Sequence, residues 1–316
     1  MFYMFEKFAN WLVYGVFGID PASRLGASFH FFIYDSVKIL VLILFVVFLI
    51  SFLRTFFPAH KIKKLLSREK WGISNFIAAF FGAISPFCSC SSIPLFLGFI
   101  EAEVPLGVAF SFLITSPLVN EVVFVIMGGM FGWKLAFIYA LTGILLGVIG
   151  GMALGRLKME DQLLVGEGRT IKEQYLPQTF SGKIEYSFRE SISVFKRLFI
   201  FVVVGVGLGA FIHGYIPQEI FTQYIKADNI FAVPIAVLVG VPIYAGCSTL
   251  VPVVFAITTK GVPLGTALAF MMSVAGLSLP EALILKGAMK MRLLAAFFAM
   301  VSFGIILVGY LFNFLL

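Results

Sequence analysis

Two stretches of this chain carry no charged residue for about 30 positions, and prolines and small polar residues interrupt each at its centre. The first runs from Trp71 to Ile100 and the second from Asn229 to Thr259. A helix needs about 20 apolar residues to cross a bilayer, so 30 residues in one straight helix, about 45 Å, overshoot a hydrocarbon core of about 30 Å. Pro86 and Pro94 in the first run, and Pro242 and Pro252 in the second, are expected to break such a helix near its middle. Broken backbone at membrane depth is tolerated where protein or an aqueous cavity satisfies it. Each run is therefore read as a re-entrant hairpin that enters and leaves on one face.

The rest of the chain agrees with a membrane setting. Hydrophobic residues make up 60% and charged residues only 12%, where a soluble domain carries roughly 25% charged. Short alternating segments of a β-barrel are not seen. Residues 1–35 open with an aromatic-rich segment carrying Glu6 and Lys7, read as an interfacial amphipathic helix without a signal-peptide cleavage site. Residues 36–155 form a first membrane unit. It comprises a span over 36–57, the first hairpin, a stretch Val104–Met130 interrupted at Thr115–Glu121, and a glycine-rich span Leu135–Gly155. Residues 156–192 are a mixed-charge linker, and 193–316 form a second unit.

The second unit repeats the first. Adding 158 takes Gly82 to Gly240, Pro94 to Pro252, Val104-Pro105-Leu106-Gly107 to Val262-Pro263-Leu264-Gly265, and Phe112 to Phe270 without a gap. A further shift of two aligns Glu121 with Glu281. If each charge-free run spanned once, the units would be parallel and 12 of the 23 Lys and Arg would face the cytoplasm. If each run is a hairpin, the units are inverted. The loops after the first span, between the units and at 286–292 then put 17 on the cytoplasmic side and leave 6 outside. The positive-inside rule selects the second arrangement. The fold expected is an all-α polytopic membrane protein of two inverted-topology repeats. Each has a Pro-broken re-entrant hairpin, and the two hairpins meet at the bilayer midplane. The net charge of +7 is then a property of cytoplasmic loops, and no nucleic acid is implied.

The chemistry sits at the breaks. Cys88-Ser89-Cys90 with Ser91 lies in the first hairpin, and Cys247-Ser248-Thr249 in the second. A thiolate is a soft ligand, so three thiols from two facing turns suit a thiophilic centre; buried free cysteine as a small hydrophobe is the alternative. The hydroxyls either line a polar path or satisfy backbone groups freed by proline. Thr115-Ser116-Pro117 with Asn120 and Glu121 forms another polar break, placing Asn120 among the solute-binding residues and Pro117 among the breaks. An intramembrane carboxylate is a functional candidate. Glu121, which has no close basic neighbour, is preferred for proton exchange over Glu281, which has Lys286 five residues on. His30, His60 and His213 match no metal-ligand spacing, and no phosphate loop or catalytic triad is seen. No metal site, cofactor or enzymatic activity is expected.

On Cys88-Ser89-Cys90 followed by Pro94, Thr115-Ser116-Pro117-Leu118-Val119-Asn120, and Gly246-Cys247-Ser248 followed by Pro252, the chain resembles the predicted permease family that includes the ArsP organoarsenical efflux permeases. That resemblance covers nearly the whole chain. It implies a multi-pass cytoplasmic-membrane permease and efflux of trivalent arsenic or an organoarsenical. The cysteine–proline neighbourhood also resembles membrane thiol carriers related to CcdA, which would imply disulfide exchange with a soluble thiol partner. Those carriers have one cysteine per repeat, whereas two stand in the first half here. The partners expected of the permease are a small-molecule or metalloid solute and the lipid bilayer. A homo-oligomer is compatible with this reading.

Overall fold

The computed structural model describes residues 2–21, 23–55, 72–85, 89–101, 104–164, 179–215, 231–243, 247–259 and 261–315. Pro58, Pro217 and the basic loop 59–70 lie outside the described residues. Within them every regular element is a helix. The one β contact is an isolated antiparallel bridge between Leu163 and Met289.

A short helix α1 (Phe2–Asn10) continues as a π-helical turn (Trp11–Val16) and packs on α2 (Arg24–Arg54). Ala9 and Val13 face inward while Phe8, Trp11 and Phe17 are exposed, the division expected of an interfacial helix. Tyr14 stacks on His30, and His30 lies parallel to Tyr34 one turn later. Helix α2 starts at Arg24, 12 residues before the span read from the sequence. The reason is local: the Ser23 hydroxyl accepts the Gly26 N–H at 2.9 Å, an N-cap ahead of the apolar stretch.

The first half continues with α3 (Ile73–Ile84), α4 (Ser89–Glu101), α5 (Leu106–Leu118), α6 (Glu121–Phe131) and α7 (Trp133–Arg156). The second half runs α8 (Phe180–Tyr215), α9 (Ala232–Gly240), α10 (Cys247–Thr259), α11 (Leu264–Gly276), α12 (Leu279–Lys286) and α13 (Met291–Leu315). Helix α8 therefore takes in the end of the mixed-charge linker; Arg189 and Glu185 pair at 3.3 Å on its exposed surface. At 36 residues, or about 54 Å, it is longer than a membrane core is thick. Pro105 and Pro263 stand at the N-caps of α5 and α11, where a fixed φ suits helix entry.

The two halves share more than the order of their elements. In the first, α5 packs on α3, α4 and α7; in the second, α11 packs on α9, α10 and α13. Close contacts recur 158 positions apart. A β-carbon on Gly82 would stand 3.0 Å from the Phe112 carbonyl, and one on Gly240 would stand 3.2 Å from the Phe270 carbonyl. Gly107 lies against the Gly151 carbonyl, and Gly265 lies against the Gly309 carbonyl. Between the halves, α2 meets α8, α5 meets α11 and α7 meets α13. The pair α4–α12 is matched by α6–α10. Such reciprocal pairing is what a two-fold relation produces.

Residues nearest that relation touch their own counterparts. Leu118 lies against Gly276, and Leu146 against Gly304. Past α7, the Lys290 N–H donates to the Gln162 carbonyl at 2.7 Å and the Leu164 N–H to the Ala288 carbonyl at 2.9 Å. The exit of α7 is thereby close to the entry of α13. With Leu146 and Gly304 in contact, parallel helices would hold Arg156 and Met291 about 35 Å apart. The six residues from Leu157 to Gln162 span about 20 Å at most. Helices α7 and α13 are therefore antiparallel.

Helices α7 and α13 are each long and apolar enough to cross a membrane, and α5 with α6 qualifies as one span bent by 42°. Helix α7 turns an unbroken stripe outward, Trp133, Phe137, Leu141, Leu145 and Ile149. An apolar stripe of that length facing away from the core is the signature of lipid contact. Its opposite side carries Gly143, Gly147, Gly150 and Gly151 against α5, allowing close backbone approach where lipid supplies no hydrophobic drive. Replacing Gly151 by Ala puts a β-carbon 2.5 Å from the Gly107 carbonyl. We expect Gly151→Ala to cost about 1–3 kcal/mol and to lower the thermal midpoint in detergent. Gly129→Ala, with no heavy atom within 4 Å of the added carbon, should leave that midpoint unchanged.

Candidate functional site

The sequence motifs meet through the hydroxyls of two serines. Ser92, in the first turn of α4, and Ser116, near the end of α5, are both fully buried and lie 2.6 Å apart. This hydrogen bond ties the turn that follows Cys88-Ser89-Cys90 to the Thr115-Ser116-Pro117 break. Asn75 of α3 extends the polar seam, donating from Nδ2 to the Ser111 hydroxyl at 2.9 Å. Thr115 and Ser111 donate back to the Ser111 and Gly107 carbonyls, so α5 satisfies its own hydroxyls inside the packed region.

Two residues beyond Ser116 the helix ends, and two of the backbone groups there find side-chain partners. The Asn120 side chain caps α6 by accepting the Val123 N–H at 2.8 Å. The Tyr139 hydroxyl, from α7, donates to the Leu118 carbonyl at 2.9 Å. Asn120 is 7% exposed and Tyr139 1%. The corresponding break, Gly276–Ser278, is adjacent through the Leu118–Gly276 contact.

Helix α10 begins at Cys247, and Cys90 is the second residue of α4. For Ser89, Cys90, Ser91, Cys247, Ser248 and Thr249 the description is of the backbone. Cys88 and Pro86 lie outside the described residues, as does the turn 244–246. Among the described residues no cluster of three His, Cys, Asp or Glu side chains could hold a metal ion.

The prolines divide. Pro242 stands in the turn just after α9. Pro94, Pro117 and Pro252 instead lie within helices α4, α5 and α10. Proline removes one N–H, so the loss falls on the single carbonyl four residues earlier: Cys90, Leu113 and Ser248 respectively. A helix just begun or about to end absorbs that loss. Among the described residues the interruptions fall at 85, 119–120, 241–243 and 277–278.

The carboxylates also divide. Glu121 is exposed in the first turn of α6, whereas Glu281 in the first turn of α12 is 2% exposed. One site residue escaped the sequence reading: Tyr139 sits in an apolar span with nothing local to distinguish it. Ser278, in the counterpart of the Thr115–Glu121 break, lies 158 positions after Asn120.

Fold and site define a helical integral membrane protein whose broken helices meet back to back at its centre. The chain belongs to the ArsP_1 family, described as a predicted permease, whose model matches residues 24–314. It is 22% identical to a UPF0718 protein of Methanocaldococcus jannaschii, over 67% of this chain and 74% of that one. It is 25% identical to a putative two-component membrane permease complex subunit of Streptococcus mutans, over 66% of this chain and 69% of the relative. The UPF0718 protein YcgR of Bacillus subtilis is 23% identical, with 88% and 92% covered. No solved structure matches the chain. Nothing in these comparisons points to a thiol–disulfide carrier.

Tyr139→Phe would leave the Leu118 carbonyl buried without its donor. We expect a loss of about 1–3 kcal/mol, read as a lower thermal midpoint. Asn120→Ala should cost about 1 kcal/mol through the lost cap.

Proposed function

We propose that this permease exports a small thiophilic solute, of the trivalent-arsenic or organoarsenical class, across the cytoplasmic membrane. In this reading it is a multi-pass protein of two inverted repeats with re-entrant hairpins. Cys88, Cys90 and Cys247 form the soft-ligand part of its site. Ser89, Ser91, Ser248 and Thr249 supply hydroxyls, Asn120 an amide, and Glu121 the proton exchange.

The observation that carries the reading is the recurrence of cysteine in the first turn of a helix that follows a break, in α4 and again in α10. Helix N-termini favour the thiolate form, which is the ligand form of cysteine. The inverted arrangement is supported by the antiparallel course of α7 and α13 and by the charge distribution of the loops. The printed name of the Streptococcus mutans relative motivates a second membrane subunit as partner.

Transport into everted vesicles tests the function. Arsenite and methylarsonous acid should accumulate with all thiols kept reduced. Cys88→Ser, Cys90→Ser and Cys247→Ser should each lower uptake about tenfold or more, because a hydroxyl is a harder and far less acidic ligand. Wild-type uptake by all three variants would overturn the cysteine site.

Topology is tested separately in a background lacking the native cysteines. Lys63→Cys and Ser181→Cys should react with an impermeant maleimide from the same face. Reaction from opposite faces would remove the inversion.

A further inference from the structure

The two breaks at the centre are built alike but are not closed alike. In the first, the Tyr139 hydroxyl occupies the Leu118 carbonyl and Asn120 caps the following helix. In the second, the position equivalent to Tyr139 is Phe297, which has no hydroxyl, and the carbonyl equivalent to that of Leu118 belongs to Gly276. The donor four residues after Gly276 is also missing, because residue 280 is proline. Ser278, the counterpart of Asn120, is 1% exposed, yet its hydroxyl makes no cap bond to α12. A buried polar group without a partner is costly. Here a hydroxyl, a carbonyl and the Leu279 N–H at the start of α12 stand at one break.

We infer that the Gly276–Ser278 break binds the oxygen-bearing end of the transported solute. The inference rests on the permease reading and adds the second chemistry that its site needs. The groups present combine an acceptor, a hydroxyl able to give or take a hydrogen bond, and an N–H donor. That set matches a small uncharged solute carrying O–H groups, the class of neutral oxyacids. Its O–H donates to the Gly276 carbonyl, and its oxygen accepts from Ser278 and the start of α12. The Gly276 carbonyl, itself an acceptor in a buried place, disfavours an anion. The first break, with its carbonyl and helix start already occupied, serves as the rigid counterpart.

Boric acid is a suitable probe, being an uncharged trihydroxy acid at neutral pH with no affinity for thiols. Its binding to the purified full chain in detergent is measured by titration calorimetry, with phosphate as the anionic comparison. Wild-type protein should bind boric acid and not phosphate. Ser278→Ala should weaken binding about tenfold, the loss of one buried hydrogen bond, and Ser278→Thr should retain it. Phe297→Tyr, which supplies the missing hydroxyl to Gly276, should weaken binding comparably while deleting no group.

Absence of boric acid binding by the wild type would overturn the inference. So would wild-type affinity in both Ser278→Ala and Phe297→Tyr. Cys247→Ser separates the two readings: it should impair arsenite uptake and leave boric acid affinity intact. Loss of the cysteine dependence with Ser278-dependent boric acid binding preserved would refute the thiophilic reading alone. The converse would refute the oxyacid site alone.

Discussion

A helix interrupted inside a membrane has to find partners for its own ends, because the surrounding lipid offers none. That requirement organises this molecule. The interruption after Leu118 is closed by Tyr139 reaching across from α7, by Asn120 capping α6, and by the Ser92–Ser116 contact just before it. Each of these partners comes from a different element. Helices α4, α6 and α7 therefore have to converge on the end of α5. The core is consequently arranged round a polar centre, with Phe96, Phe110, Phe112 and Phe297 forming the apolar packing about it.

Close backbone approach makes the convergence possible. Helix α7 lies against α5 through glycines, and Gly147 and Gly151 leave room for Thr115 and Ser111. The hydroxyls of those residues turn back onto carbonyls of their own helix, so the tight interface contains no stranded donor. The opposite face of α7 is large and apolar. One helix thus serves two environments, a protein seam and a lipid surface, through a division along its length.

Much of this was readable from the residues. The offset of 158, detected through glycine and proline matches, reappears in three dimensions as matching contacts: Gly82 on Phe112 and Gly240 on Phe270, Gly107 on Gly151 and Gly265 on Gly309. The polar stretch Thr115–Glu121 contains a true helix break. Other features depended on context that a linear pattern does not carry. Proline is expected to interrupt, but Pro94 and Pro252 lie within the short helices α4 and α10. The start of α2 was hidden because Ser28, His30, Asp35 and Lys38 dilute its apolar period. The two glutamates stand at matched places in the repeat, yet Glu281 is buried and Glu121 is exposed. Tyr139 acts through a carbonyl 21 positions away in the chain, a partnership invisible without the fold.

The short bridge between Leu163 and Met289 fastens the segment after α7 to the turn before α13, with the Lys290 ammonium also donating to the Asp161 carbonyl at 3.2 Å. It joins the two halves by backbone hydrogen bonds at a place where their reciprocal helix contacts do not reach. The order of the halves along the chain therefore matters. The helix pairs that run between the halves recur reciprocally, but this clasp joins the segment after α7 to the turn before α13. It makes a duplicated architecture behave as a single directional chain.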